Sequence, residues 1–150
     1  MLGLRVQMIN TEELSYRYSH FLFEFNEIEA ATYEILDRLP EDNLVKHGKS
    51  IDQFKNRARF VQALLKSSSI EHREELYQIL EEAISLSSYR NELAHNSLRI
   101  TVSRNDDKDI RIGYCLSNSK DGSTIPQALE QLPGKLEKAM KIVLRLNELI

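Results

Sequence analysis

The stretch Tyr89-Arg90-Asn91-Glu92-Leu93-Ala94-His95-Asn96, followed by Ser97-Leu98-Arg99-Ile100-Thr101-Val102, decides how this chain is read. Before Asn96 the apolar residues Leu76, Ile79, Leu80, Ala83, Leu86, Leu93 and Ala94 recur at helical spacing. After it Leu98, Ile100 and Val102 take every second position, the period of a half-buried strand. A long helix therefore ends near His95 or Asn96, and a strand follows at once. The same stretch holds an Arg, an amide and a His between Arg90 and His95, the densest group of chemistry in the chain.

Upstream, Ser67-Ser68-Ser69 reads as a turn and cap, and the helix that ends at the motif begins near Ile70. Its first half is acidic, with Glu71, Glu74, Glu75, Glu81 and Glu82, which suits the positive end of the helix dipole. The preceding helix starts at Ser50, where Gln53 completes a capping-box pattern, and its apolar stripe is Ile51, Phe54, Ala58, Val61 and Leu65. Its other side carries Lys55, Arg59 and Lys66, with Arg57 nearby. From Asn43 to Arg59 there are five Lys or Arg and one Asp, a local basic patch that is either a solvated face or a surface for RNA. On the second reading Lys55, Arg59 and Lys66 are the RNA-binding candidates. Opposite charge on these two helices favours antiparallel pairing, although exposed pairs contribute little each.

Further upstream, Leu14, Tyr18, Phe21, Phe25, Ile28, Ile35 and Leu39 form one stripe that skips only Thr32. This first helix starts at Asn10 or Thr11 and runs to about Leu39, where Pro40 stops it. Glu41 to Lys49 reads as a linker, and Met1 to Ile9 as a lead-in segment that docks on the core or on a partner. Downstream of the motif, Leu98 to Val102 and Ile110 to Leu116 alternate around the polar turn Asn105–Asp109, a two-stranded hairpin. Ser117 to Ser123 is a loop. The last helical pattern runs from about Pro126 to Ile150 and is interrupted at Pro133-Gly134, which predicts a kink or a short helix before the main one. The expected fold is mainly α: an up-and-down bundle of four to five helices with a small β-hairpin near residues 98–117, in a single domain over residues 1–150.

Composition sets the outer bounds. The chain has 150 residues, 41% hydrophobic and 29% charged, enough for one domain with its own core. The lone Cys115 excludes an intramolecular disulfide framework and, lying in an alternating apolar stretch, reads as a structural thiol in a reducing compartment. Residues 1–10 are too short and mixed for a signal peptide, and no apolar run approaches the roughly 20 residues a membrane span needs. The expectation is a cytoplasmic protein without a membrane segment. Net charge is −3, so any contact with a polyanion comes from a local basic patch. His20, His47 and His72 are scattered, no His or Cys spacing suggests a metal site, and no glycine-rich phosphate loop is present. No cofactor is expected.

The motif has a definite chemistry. On a helix Asn91 and His95 lie one turn apart on one face. Arg90 precedes His95 by five residues, about 140° around the axis and about 7.5 Å along it. The two do not stack within one chain, whereas two such helices facing across a two-fold axis would place both sets around one cleft. Imidazole exchanges protons near neutral pH, and guanidinium grips phosphate and stabilises charge that develops on it. RNA carries its own nucleophile, the 2′-hydroxyl.

Arg90-Asn91-x-x-x-His95, late in a long helix of a small helical domain, resembles the motif of HEPN domains: an Arg, four to six residues, then a His, with a polar residue often after the Arg. The resemblance covers the motif and the helix order over about residues 10–98 and 125–150; the hairpin is extra to the minimal bundle. It implies a helical bundle, a symmetric homodimer with facing motifs, and a metal-independent endoribonuclease that acts as a toxin or antiviral effector, often beside an antitoxin. On that resemblance Arg90 and His95 are catalytic and Asn91 orients or binds phosphate. The alternative is a non-catalytic helical module of the same fold that binds a protein partner or a nucleotide.

Overall fold

In the computed structural model, which describes residues 6–8, 11–104, 110–125 and 128–150, the element order is β1 (Val6–Met8), α1 (Thr11–Arg38), α2 (Asn43–Lys49), α3 (Phe54–Ser67), α4 (Arg73–His95), β2 (Ser97–Arg104), β3 (Ile110–Ser117), β4 (Thr124–Ile125) and α5 (Leu132–Leu149). The chain is a mainly helical bundle with a small β element, as its periodicity predicts. Phe21, Phe25, Ile28, Ile35 and Leu36 of α1 are fully buried. The Phe21 ring meets Tyr89 of α4 edge-on at 5.3 Å between centroids, and Phe25 meets Phe54 of α3 at 5.1 Å. Edge-to-face pairs of this kind tie α1 to both neighbours. Helices α3 and α4 run antiparallel: Arg59 pairs with Glu81 at 2.7 Å, and Gln62 Nε2 donates to the Tyr77 carbonyl at 3.1 Å. The adjacent carboxylates of Glu81 and Glu82 part company as helical geometry requires, Glu82 turning to Arg145 of α5 at 3.3 Å.

The sheet is larger than a hairpin. β2 and β3 pair antiparallel from Ser97↔Ser117 to Arg104↔Ile110, β4 adds antiparallel to β3, and β1 adds parallel to β3 on its free side. Val6–Met8, within the expected lead-in segment, is therefore a strand; the expected turn at residues 105–109 lies outside the described residues. Leu116 anchors the sheet in the helical core, while Leu98 and Val102 remain exposed, and Cys115 is half-buried.

Several local expectations are corrected. The linker over Glu41–Lys49 contains α2, because the Asp42 carboxylate accepts from the Val45 N–H at 2.8 Å and so caps a helix. A Cβ at Gly48 would stand 3.0 Å from the Phe60 ring and 3.1 Å from Leu36, so a larger residue there would make one of these side chains give by a few tenths of an ångström. Ser50 closes α2, donating to the His47 carbonyl at 2.6 Å, and the capping box does not form: Gln53 occupies the N-cap of α3 without a side-chain cap bond. Helix α4 starts at Arg73, with His72 at its N-cap in left-handed backbone, φ 60°. Ala94, assigned to its apolar stripe, is exposed. Pro133 falls in the first turn of α5, where its missing N–H is harmless, so Pro133-Gly134 starts the helix and does not interrupt it. Pro126 lies outside the described residues, as does Asn10, the other candidate start of α1.

Arg57 departs furthest from the sequence reading. It does not join the basic face; it is 2% exposed. Its Nε donates to Thr32 Oγ1 at 2.7 Å, and a terminal nitrogen donates to the carbonyls of Ile51 at 2.8 Å and Asp52 at 3.2 Å. The Tyr33 ring lies 4.1 Å from its guanidinium carbon, a cation–π contact. Thr32, the one gap in the apolar stripe of α1, is the polar partner that makes this burial tolerable, and its own hydroxyl donates to the Glu29 carbonyl at 2.6 Å. Replacing Thr32→Val keeps the shape but removes the acceptor, and a lost hydrogen bond to a charged group is worth about 1.5–3 kcal/mol. Urea unfolding of the variant should show a loss of that size; an unchanged midpoint would contradict this account of the core.

Candidate functional site

The site begins with the rotation of α4. Tyr89 is buried and its hydroxyl donates to the Ala128 carbonyl at 2.6 Å. Leu93, one turn on, is fully buried, and the Tyr18 hydroxyl donates to its carbonyl. With these two residues turned inward, Ser87, Arg90, Asn91 and His95 line a cleft of about 380 Å³ whose other wall is Glu29 of α1 and the start of α3. Phe25 and Phe54 form its apolar lining, and Asp52, Lys55 and Asn56 its polar rim. The three residues singled out in the sequence thus share one hollow in a single chain.

Arg90 is half-buried and its nearest ion-pair partner is Glu29, with Nη2 and Oε1 3.8 Å apart. That separation exceeds hydrogen-bond length, so the pair is loose and the guanidinium can turn to another anion. The other terminal nitrogen donates to Asn91 Oδ1 at 3.3 Å. His95 is exposed at the mouth of the cleft. Asn96 ends the helix: its amide nitrogen donates to the Glu92 carbonyl at 2.9 Å and its oxygen accepts from the Ser119 N–H at 3.3 Å, so it ties the last helical turn to the β3–β4 connection.

The opposite wall is held from beneath. Arg57 grips the carbonyls of Ile51 and Asp52, which fixes the entry into α3. Gln53 leaves the helix without a side-chain cap, and no acid occupies the first turn, so this end keeps free N–H groups and positive character beside Lys55. Against these stand Glu29 and Asp52, so the cleft of one chain is nearly balanced in charge. Of the three basic residues proposed for RNA, only Lys55 lines the cleft. Arg59 is engaged with Glu81, whose carboxyl is held below its ordinary range by the Gln62 amide first and by Arg59 second. Lys66 lies over the Tyr77 ring at 5.1 Å and borders a different hollow.

Sequence reasoning missed Glu29, Ser87, Asp52 and Asn56. Ser87 stands one turn before Arg90 on α4 itself, whereas Glu29, Asp52 and Asn56 carry no local signal and meet Arg90 only because α1, α3 and α4 pack together. Among the described residues no group of three or more His, Cys, Asp or Glu side chains is arranged to hold a metal ion, and no helix is long and apolar enough to cross a membrane. Comparison with protein families, curated proteins and solved structures finds no match to this chain.

Burial pushes the Tyr89 phenol well above its ordinary value, with the nearby charges of Glu92 and Tyr18 adding to the shift. The folded state therefore holds this proton more tightly than the unfolded chain. The stability it contributes is complete below the unfolded value of about 10 and is lost as pH rises through the higher folded value. Tyr89→Phe should lose about 0.5–1.5 kcal/mol at neutral pH and show a shallower alkaline decline than the wild type. Parallel urea titrations across alkaline pH check this, and identical slopes would contradict the assignment.

Proposed function

We propose that this chain is a metal-independent endoribonuclease of HEPN type that works as a homodimer, with Arg90, Asn91 and His95 in its active cleft. The observation that carries the reading is the meeting of Arg90, Asn91, His95 and Lys55 in one hollow at the end of α4. In this reading His95 takes the proton of an RNA 2′-hydroxyl. The freed oxygen attacks the adjacent phosphorus, the bond to the 5′-oxygen breaks, and the leaving oxygen takes a proton from a second imidazole or from water. The products are a 2′,3′-cyclic phosphate and a 5′-hydroxyl. Arg90 leaves its loose pairing with Glu29 to meet the charge that grows on the phosphate, Asn91 steadies the guanidinium, and Lys55 meets a flanking phosphate. Two α4 helices facing across a two-fold axis would bring a second Arg90–Asn91–His95 set to the same cleft and supply the second imidazole. A cytoplasmic toxin or antiviral effector, kept in check by a protein antitoxin, is the biological setting that fits this chemistry.

The balanced charge of the cleft supports a second reading, a non-catalytic module in which the Glu29–Arg90 pair and its neighbours hold a protein partner, a nucleotide or the dimer. The two readings separate in one experiment. RNA cleavage is followed in EDTA for the wild type and for folded Arg90→Ala and His95→Ala, with sedimentation velocity on each. The nuclease reading predicts cleavage by the wild type and a loss of about 10²-fold or more in each variant, from lost general acid–base catalysis in His95→Ala and lost stabilisation of the phosphate charge in Arg90→Ala. Absence of cleavage on several RNAs, with dimerisation weakened in Arg90→Ala, would replace it by the binding module. Equal cleavage by all three would remove the site from this motif.

A further inference from the structure

A second feature lies on another side of α4. On α5, Lys135, Lys138, Lys141 and Arg145 follow at steps of three, three and four. That spacing keeps them on one flank over about 15 Å. They line a groove of about 690 Å³ between α5 and α4, with Leu86, Ile142 and Leu144 as its apolar lining. The groove takes Glu82, Ser85 and Leu86 from α4, whereas the cleft takes Ser87, Arg90 and Asn91, so the two hollows flank one helix on different sides.

The charges are unevenly shared between them. In the cleft Lys55 and Arg90 stand against Glu29 and Asp52. In the groove four cations stand against Glu82 and Glu148. Arg145 is answered by Glu82 at 3.3 Å, and Lys141 by Glu137 at 3.0 Å. Among the described residues Lys138 has no ion-pair partner, and Lys135 lies 5.7 Å from the centre of the Tyr89 ring, next to the motif in sequence. In a chain of net charge −3 this row is the cationic track, and its spacing suits a run of phosphates better than a single anion.

We propose that the α4–α5 groove is a docking track for the sugar–phosphate backbone of RNA, which then passes around the C-terminal half of α4 to the cleft. The groove would hold RNA by phosphate contacts without reading bases, and the cleft would cut it. The choice of RNA as the polyanion rests on the nuclease reading; the basic groove itself does not.

The test is fluorescence anisotropy of a labelled 2′-O-methyl oligouridine, which has no free 2′-hydroxyl and cannot be cleaved by this route. The proteins are the full-length wild type, the triple variant Lys135→Gln/Lys138→Gln/Lys141→Gln, and Arg90→Ala/His95→Ala, each checked for fold by circular dichroism. The wild type should bind with strong salt dependence. The triple variant should bind about tenfold or more weakly, and the slope of log K against log salt should fall by about two, as three lost single-strand phosphate contacts predict. Arg90→Ala/His95→Ala removes the phosphate contact of the cleft and should lose less affinity and less salt slope than the triple variant. Single Lys138→Gln, the least engaged of the row, gives a measurable part of the effect if the triple variant misfolds. Wild-type affinity and salt slope in both lysine variants would overturn the proposal, as would no RNA binding by the wild type or a preference for polyglutamate, which would make the groove a protein-docking surface. Cleavage of unmodified RNA, run alongside, keeps the two claims apart. Groove-dependent binding without any cleavage sinks the nuclease reading alone, and cleavage with unchanged binding in the triple variant sinks the groove alone.

Discussion

Everything in the site depends on which way α4 is rotated. A helix has no preferred rotation of its own; the residues it buries decide it. Here Tyr89 is turned inward by its edge contact with Phe21 and by the hydrogen bond to Ala128, and Leu93 by complete burial. Once those two are fixed, Arg90, Asn91 and His95 have one side left to occupy, the side facing α1 and the start of α3. Rotating α4 by one residue position, about 100°, would bury the guanidinium and expose the phenol. The desolvation of an unpaired charge makes that alternative far less stable.

A second constraint reaches the site from below. Arg57 is buried, and a buried cation is tolerable only when its donors are satisfied. Thr32 Oγ1 and the carbonyls of Ile51 and Asp52 meet that demand, and in doing so they hold the turn into α3 against α1. Thr32 also receives its place in the helix by donating to the Glu29 carbonyl. The core cation, the α1 backbone beneath the Glu29 carboxylate and the rim around Asp52 are thus one connected arrangement. It presents Glu29 at a distance from Arg90 that steadies the guanidinium without saturating it.

How far the sequence carries a reader depends on whether the deciding contacts are local. The helices α1, α3, α4 and α5 and the strands β2 and β3 follow from periodicity, because one buried face imposes it. The end of α4 at His95 could be read from the switch to alternation at Leu98. Helical spacing puts Asn91 and His95 on one face, but Arg90 stands about 140° from His95, and it shares their hollow within one chain only because α1 and the start of α3 close it. The parallel pairing of Val6–Met8 with β3 could not be read, since three residues carry no register information of their own. Asp42 was a cap hidden inside an apparent linker, and Ser50-x-x-Gln53 imitated one that does not form. Arg57 looked like one more surface cation; the only hint of its burial was the polar Thr32 in an otherwise apolar stripe. Glu29 joins the site purely through tertiary packing, for which the chain offers no local sign.

The central claim, that Arg90 and His95 form one phosphate-handling cleft, is tested most directly by nuclear magnetic resonance on the isotope-labelled protein as uridine 3′-monophosphate is added. The account predicts that the His95 ring and the Arg90 guanidinium signals shift together, with Lys55 following, while His20, His47 and His72 hold still. Shifts at any of those three histidines with His95 and Arg90 unmoved, or no shift at all at concentrations that saturate a weak phosphate site, would contradict it.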